Sequence, residues 1–158
     1  MIKVFMLFSP VVLMFVCCKS PKEVAVMNNQ YSFSSFLSNY HQSGDAVWKK
    51  TDKIISCNLG EGFIYTKNSY QYFHLTAEFL PDETVNSGIF FGCEGEDIGA
   101  ISCYEANIWD NHPNQDFRTG SLVTRQSPMV NVQTSGKWST YEIKSEPKRI
   151  RIWIRVRT

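Results

Sequence analysis

Between Cys103 and Leu122 the sequence reads CYEANIWDNHPNQDFRTGSL, a stretch that gathers one Glu, two Asp, one His and one Arg. Its first part alternates. Tyr104, Ala106 and Ile108 form an apolar series, and Glu105, Asn107 and Trp109 form a polar and aromatic one. A strand sends successive side chains to opposite faces, so the first series suits a core and the second suits solvent or a ligand. A carboxyl group moves protons, an amide bonds hydroxyl groups and an indole stacks on a pyranose face. That strip has the composition of a sugar-facing surface. Asp110, His112 and Arg118 follow in a polar segment closed by Thr119-Gly120, and the end of a strand is a favoured place for catalytic groups. Asp, Asn and Pro are also ordinary turn formers. Pattern alone therefore favours a solvated strand and loop over a catalytic row.

Strands must hold such a strip, and the chain is rich in them. YFHLTAEFL sets Phe73, Leu75, Ala77 and Phe79 against Tyr72, His74, Thr76 and Glu78. KRIRIWIRVR sets Ile150, Ile152, Ile154 and Val156 against Arg149, Arg151, Trp153 and Arg155. GFIYT, SGIFFGC and STYEIK are shorter runs of β-formers, and turn residues separate them: Pro81-Asp82, Asn86-Ser87-Gly88, Gly120, Ser135-Gly136 and Glu146-Pro147. No segment carries a long helical stripe, and no internal repeat is present. Many short strands at regular spacing predict an all-β sandwich or barrel.

A chain of 158 residues forms one domain with a real core. Its net charge of +1, from 16 Lys and Arg against 15 Asp and Glu, argues against nucleic acid as the main partner. Lys3 precedes an apolar run from Val4 to Val16 that is too short to span a bilayer and reads as a secretory signal. Cys17 and Cys18 follow where a bacterial lipoprotein carries its acylated cysteine. The predicted division is a signal over residues 1–18, a linker and strap over 19–45, and the domain over 46–158. The expected location is the periplasm, or a bacterial membrane to which an N-terminal lipid tethers the chain. In an oxidising compartment Cys93 and Cys103, which flank a short Gly-containing loop, are expected to form a disulfide, leaving Cys57 as a buried thiol. No His or Cys pair has zinc spacing, and no cofactor is expected.

Several motifs in order carry a family resemblance. They are Trp48 before a strand, Gly60-Glu61-Gly62-Phe63-Ile64-Tyr65-Thr66, Tyr72-Phe73, Asn86-Ser87-Gly88-Ile89-Phe90-Phe91, Cys103 to Asp110, Thr119-Gly120, and Gly136 to Ile143. Together they resemble the 3-keto-disaccharide hydrolase family over about Ala46 to Ile154. The resemblance implies a concanavalin-like jelly roll of two antiparallel sheets, and exported proteins acting on small carbohydrates oxidised at C3. Glu105 and Asn107 match the family's Tyr-Glu-x-Gln/Asn strand, and Asp110 matches the acid that closes it. These three positions are carried over as site-lining; with the residues around them, the candidate catalytic set is Glu105, Asp110, His112 and Arg118, and the candidates for holding the substrate are Asn86, Asn107 and Trp109. Gly92 stands where the family often has Arg, and Lys53 follows Asp52 where an Asp-Gly turn is usual. After Ile154 the family continues with an Asn-Gly turn and closing strands, whereas this sequence reads Arg155-Val156-Arg157-Thr158. The jelly roll is therefore expected to lack its closing strands.

A ketone at C3 acidifies the C2 proton and places the C1 substituent β to the resulting carbanion. Cleavage then needs a base at C2, a donor for the enolate oxygen and an acid for the leaving group. Glu105 is the expected base, with Arg118 or His112 as its partner. A glycosidase using Glu105 and Asp110 ranks lower, because five residues of extended strand separate them by roughly 16–17 Å. A non-catalytic carbohydrate-binding module, or an inactive shortened product, is the alternative.

Overall fold

A computed structural model of the chain describes residues 2–7, 14–17, 40–51, 54–67, 70–94 and 98–158. The strands are β1 (Ile2–Leu7), β2 (Met14–Cys17), β3 (Tyr40–Gly44), β4 (Trp48–Thr51), β5 (Ile54–Cys57), β6 (Gly62–Thr66), β7 (Phe73–Phe79), β8 (Ser87–Phe91), β9 (Tyr104–Ile108), β10 (Ser139–Glu146) and β11 (Arg149–Val156). They form a six-stranded sheet in the order β11-β10-β7-β1-β5-β4 and a five-stranded sheet in the order β3-β6-β2-β8-β9. Every pairing among them is antiparallel. Among the described residues one 3-10 turn is present, at Gln115–Phe117.

The two inner faces are the apolar series that alternation predicts. Leu75, Ala77 and Phe79 on β7 and Tyr141 and Ile143 on β10 are buried with Ile64, Ile89, Phe91, Ala106 and Ile108 of the other sheet. Register aligns them: Tyr141 lies opposite Ala77 and Ile154, and Ile143 opposite Leu75 and Ile152. Ring contacts lock this layer, with Phe79 stacked on Tyr141 and Phe91 stacked on Tyr104. The result is an all-β, two-sheet antiparallel sandwich of the jelly-roll type.

Two findings concern the ends of the sequence-based division. The stretch read as a leader holds strand positions: β1 pairs with β5 and β7, and β2 pairs with β6 and β8. Of the two cysteines expected to be lipid-bearing, Cys17 ends β2, and Cys18 lies outside the described residues, as does residues 19–39 of the linker and strap. At the other end β11 is an edge strand, joined to β10 by a turn at Pro147-Lys148. Its inner-face Ile150, Ile152 and Ile154 line an apolar groove of about 500 Å³ beneath Met129 and Val130. Arg149, Arg151 and Arg155 on the opposite face discourage another strand from pairing there.

Cys93 and Cys103 are joined in a disulfide, as expected, and Cys57 is buried with its thiol 3.5 Å from the Leu59 carbonyl. The bridge closes a loop of ten-residue separation just before β9. By loop-closure entropy, replacing both cysteines with serine should lower the unfolding free energy by about 2–3 kcal/mol. Urea midpoints compared with and without reductant would measure it, and coincident midpoints would reject it. Among the described residues no helix is long and apolar enough to cross a membrane.

Candidate active site

Glu105 is the second residue of β9, which has β8 on one side and the 121–123 segment on the other. Phe90 is its cross-strand partner, and its own carbonyl accepts the Val123 N–H at 3.0 Å. The face it shares is the outer face of the five-stranded sheet, because Tyr104, Ala106 and Ile108 point into the core. On that face Glu105 is flanked along its strand by Cys103 and Asn107, and across the pair by Phe90 and Gly88. Gly88 matters because the carboxyl lies over it. A Cβ built there would meet Glu105 Oε1 at 2.9 Å and Cγ at 3.0 Å.

The surroundings are apolar and aromatic. Phe90 and Cys103 are buried together, with Phe63, Tyr65, Cys93 and Ile98 packed against them. Phe63 meets Phe90 edge-on at 5.8 Å between ring centres, and Tyr65 lies 5.3 Å from His41 of the edge strand β3. Alternation explains this second, smaller cluster, since Phe63 and Tyr65 flank the core residue Ile64. Among the described residues no donor or cation bonds the Glu105 carboxyl. Burial without compensation penalises the anion and raises the Glu105 carboxyl to about 7.

Asp110 lies in a different environment, buried at 4 % exposure. Its Oδ2 accepts the backbone N–H groups of Thr134 at 2.6 Å and Ser135 at 2.8 Å, and its Oδ1 accepts the Thr134 hydroxyl at 2.9 Å. The Ser135 hydroxyl adds a fourth donor at 3.1 Å. Burial by itself would raise this carboxyl, but the hydrogen bonds from Ser135 and Thr134 outweigh it and hold the group below the usual carboxylate range. Such a saturated carboxylate is an anchor that ties the end of β9 to the turn before β10.

The remaining expected site residues divide in the same way. Arg118 is engaged by the loops around it. Its guanidinium donates to Gln115 Oε1 at 2.9 Å, to the Val132 carbonyl at 2.5 Å and to Gln133 Oε1 at 2.7 Å. At 7 % exposure it braces one loop against another. Trp109 follows the last residue of β9, and its ring contacts His112 at 4.4 Å; His112 in turn meets Phe117 at 5.7 Å. His112 Nδ1 accepts the Asn114 N–H at 3.0 Å, which places the ring proton on Nε2. Asn107 is on the predicted face, yet it is 2 % exposed. Its amide donates to the Phe117 carbonyl and accepts the Ile108 N–H at 2.9 Å, so it fastens the 3-10 turn over the strand end. Asn86 is half-buried just ahead of β8, two residues before Gly88.

Glu105 is thus the expected site residue left with an unengaged acid, and the others shape the loop beside it. Several contributors escaped the sequence reading. Phe63, Tyr65 and Phe90 occur in short apolar runs where alternation marks the inner residues and leaves the outer ones without a role. Tyr141 is another. Its hydroxyl donates to the Asn107 carbonyl at 2.5 Å and accepts the Gly120 N–H at 2.9 Å. Burial drives its phenol well above the ordinary range, so it stays a neutral strut between the sheets.

Among the described residues, no three His, Cys, Asp or Glu side chains stand close enough to hold a metal ion. Chemically, the site offers one proton-transfer group on an aromatic floor. No curated protein and no solved structure matches the chain. The profile of the 3-keto-alpha-glucoside-1,2-lyase-like domain matches residues 26–154, which is most of the sequence and includes every element of the site just described. The chain therefore belongs to the 3-keto-alpha-glucoside-1,2-lyase-like family.

Proposed function

We propose that this domain cleaves the glycosidic bond of 3-keto-glucosides, with Glu105 as the base that removes the C2 proton. One observation carries the reading. On a face lined by Phe63, Tyr65 and Phe90, Glu105 is a half-buried carboxyl that no described residue bonds, held near 7. A base poised near the working pH is present as carboxylate and still holds the proton it takes.

The steps follow from the substrate. The carboxylate takes the C2 proton, and the electron pair delocalises onto the C3 oxygen as an enolate. Collapse of the enolate forms the C1–C2 double bond, breaks the C1–oxygen bond and expels the aglycone, which acquires a proton. The product at this point is an unsaturated 3-keto sugar, the outcome of a lyase. Addition of water, hydroxyl to C1 and a proton to C2, completes a net hydrolysis. The aromatic rings favour the apolar face of a pyranose. A location outside the reducing cytoplasm belongs to the same proposal, supported by the Cys93–Cys103 disulfide.

The test is turnover of a 3-keto-disaccharide in D2O. The expected product carries deuterium at C2 above the level of an enzyme-free control, and the matching unoxidised disaccharide is left intact. Cleavage of both sugars with C2 hydrogen retained would sink this chemistry and point to a conventional glycosidase. A second reading has its own support, since Asp110 and Arg118 are both tied up in loop anchoring. It is a carbohydrate-binding module with the same aromatic face. Glycan binding that persists in Glu105→Gln, with no turnover by the parent chain, would favour it.

A further inference from the structure

We propose that Gly88 is the positioning residue for Glu105: the side chain absent at 88 is the space in which the carboxyl lies, and this directs it across β8 toward the aromatic face. The inference rests on the proposed role of Glu105 as base and adds the device that aims it.

The geometry is specific. In the antiparallel register Gly88 is opposite Asn107, and Glu105, opposite Phe90, is its diagonal neighbour on the same face. Diagonal neighbours are within reach of a long side chain. An ideal Cβ at 88 would stand 2.9 Å from Glu105 Oε1, closer than real Cβ contacts come, and 3.0 Å from its Cγ, tighter than most. No left-handed backbone is involved, because Gly88 is absent from the glycines with positive φ. Conformational freedom therefore does not explain this glycine. Glycine inside a strand weakens it, and it is commonly found where another group must approach closely. Here the approaching group is a carboxyl.

The alternatives for the carboxyl are closed or unproductive. Along β9 its neighbours on that face are the disulfide at Cys103 and the buried Asn107 amide, which is already engaged with Phe117 and Ile108. On the other flank the 121–123 segment bonds the backbone of β9, the Val123 N–H donating to the Glu105 carbonyl and the Ser121 carbonyl accepting the Asn107 N–H. Lying over Gly88, the acid rests beside Phe90 and away from donors, which is what keeps it available to a substrate. A methyl group at 88 would push hardest against Oε1 and Cγ of the flexible Glu105 side chain and less against the Ala106 carbonyl oxygen at 3.3 Å. The carboxyl is the group with room to move.

Gly88→Ala tests this. The Glu105 carboxyl would be followed by ¹³C NMR titration of the full chain, in parallel with kinetics on a 3-keto-disaccharide. The expected result is a titration midpoint shifted down from about 7 toward the ordinary value of about 4.3, as the group swings into water. With it should come a roughly 10- to 100-fold fall in kcat and a KM within about twofold, the signature of misplacement. In a Glu105→Ala background neither Cγ nor Oε1 faces 88, and adding Gly88→Ala should change the remaining turnover by less than about twofold. An unchanged midpoint in Gly88→Ala overturns the proposal. If Gly88→Ala does not fold, truncation of Glu105 to alanine in the double variant should restore folding; a double variant that also fails to fold overturns it as well. Absence of turnover in the parent chain would remove the functional reading, while the titration would still decide the positioning.

Discussion

Glu105→Gln is expected to lower kcat by about 10²- to 10⁴-fold, the usual contribution of a general base, and at the same time to stabilise the fold above neutral pH. Both effects have one origin. The parent carboxyl is buried with nothing to offset the loss of water, so its anion is penalised and its midpoint rises to about 7. The unfolded chain holds the same group near 4.3. Below that value both states are protonated and the group is neutral to stability. Between about 4.3 and 7 the unfolded chain is ionised while the folded chain keeps its proton, so the stability present at acid pH is lost over that range. Above about 7 the folded state carries an ionised buried carboxyl and the loss is complete. Allowing for its partial contact with water, the loss amounts to about 2–3 kcal/mol. Glutamine does not titrate, so the difference between parent and variant should open between about pH 4.3 and 7 and stay constant above. Denaturant unfolding across that range reads the stability, and the pH–rate profile of the parent should rise through the same midpoint near 7. A stability difference that is flat with pH would show that Glu105 is not the desolvated acid described above.

Asp110→Ala should have the largest effect on folding, about 3–5 kcal/mol lost, although this residue stands at the end of the same strand. The carboxylate satisfies the Thr134 and Ser135 N–H groups and both of their hydroxyls. Removing it orphans two backbone donors at a buried site, and each such group costs about 1–3 kcal/mol. The pH dependence runs opposite to that of Glu105. The folded-state carboxyl is held below its unfolded value, so its contribution is full above about 3.9 and is lost as pH falls through the depressed value. The acid limb of the parent's stability curve should accordingly flatten in the variant. At a temperature where Asp110→Ala is folded, its pH–rate profile should keep the midpoint near 7, because that midpoint belongs to Glu105. Loss of the midpoint with little change in stability would instead make Asp110 a partner in the chemistry.

The contrast between these two carboxyl groups shows what a sequence carries and where it stops. Alternation is a local property of an extended chain, so the inner faces of β7, β9 and β11 were readable from spacing alone, as was the side of β9 on which Glu105 lies. The Cys93–Cys103 bridge was readable too, since both cysteines flank one short loop. Motif order disclosed the family. What the tertiary structure decided was which polar groups are already spent. Asp110 meets its donors 24 and 25 residues away, Arg118 its carbonyl 14 away, and the Asn107 carbonyl a tyrosine hydroxyl 34 away on the other sheet. No spacing rule reaches across such distances, because hydrogen-bond satisfaction depends on how the sheets and loops are brought together. The aim of Glu105 is of the same kind. The residue type was legible, but its passage over Gly88 exists only in the register of β8 against β9, and a shift of one residue would have sent it to the other face.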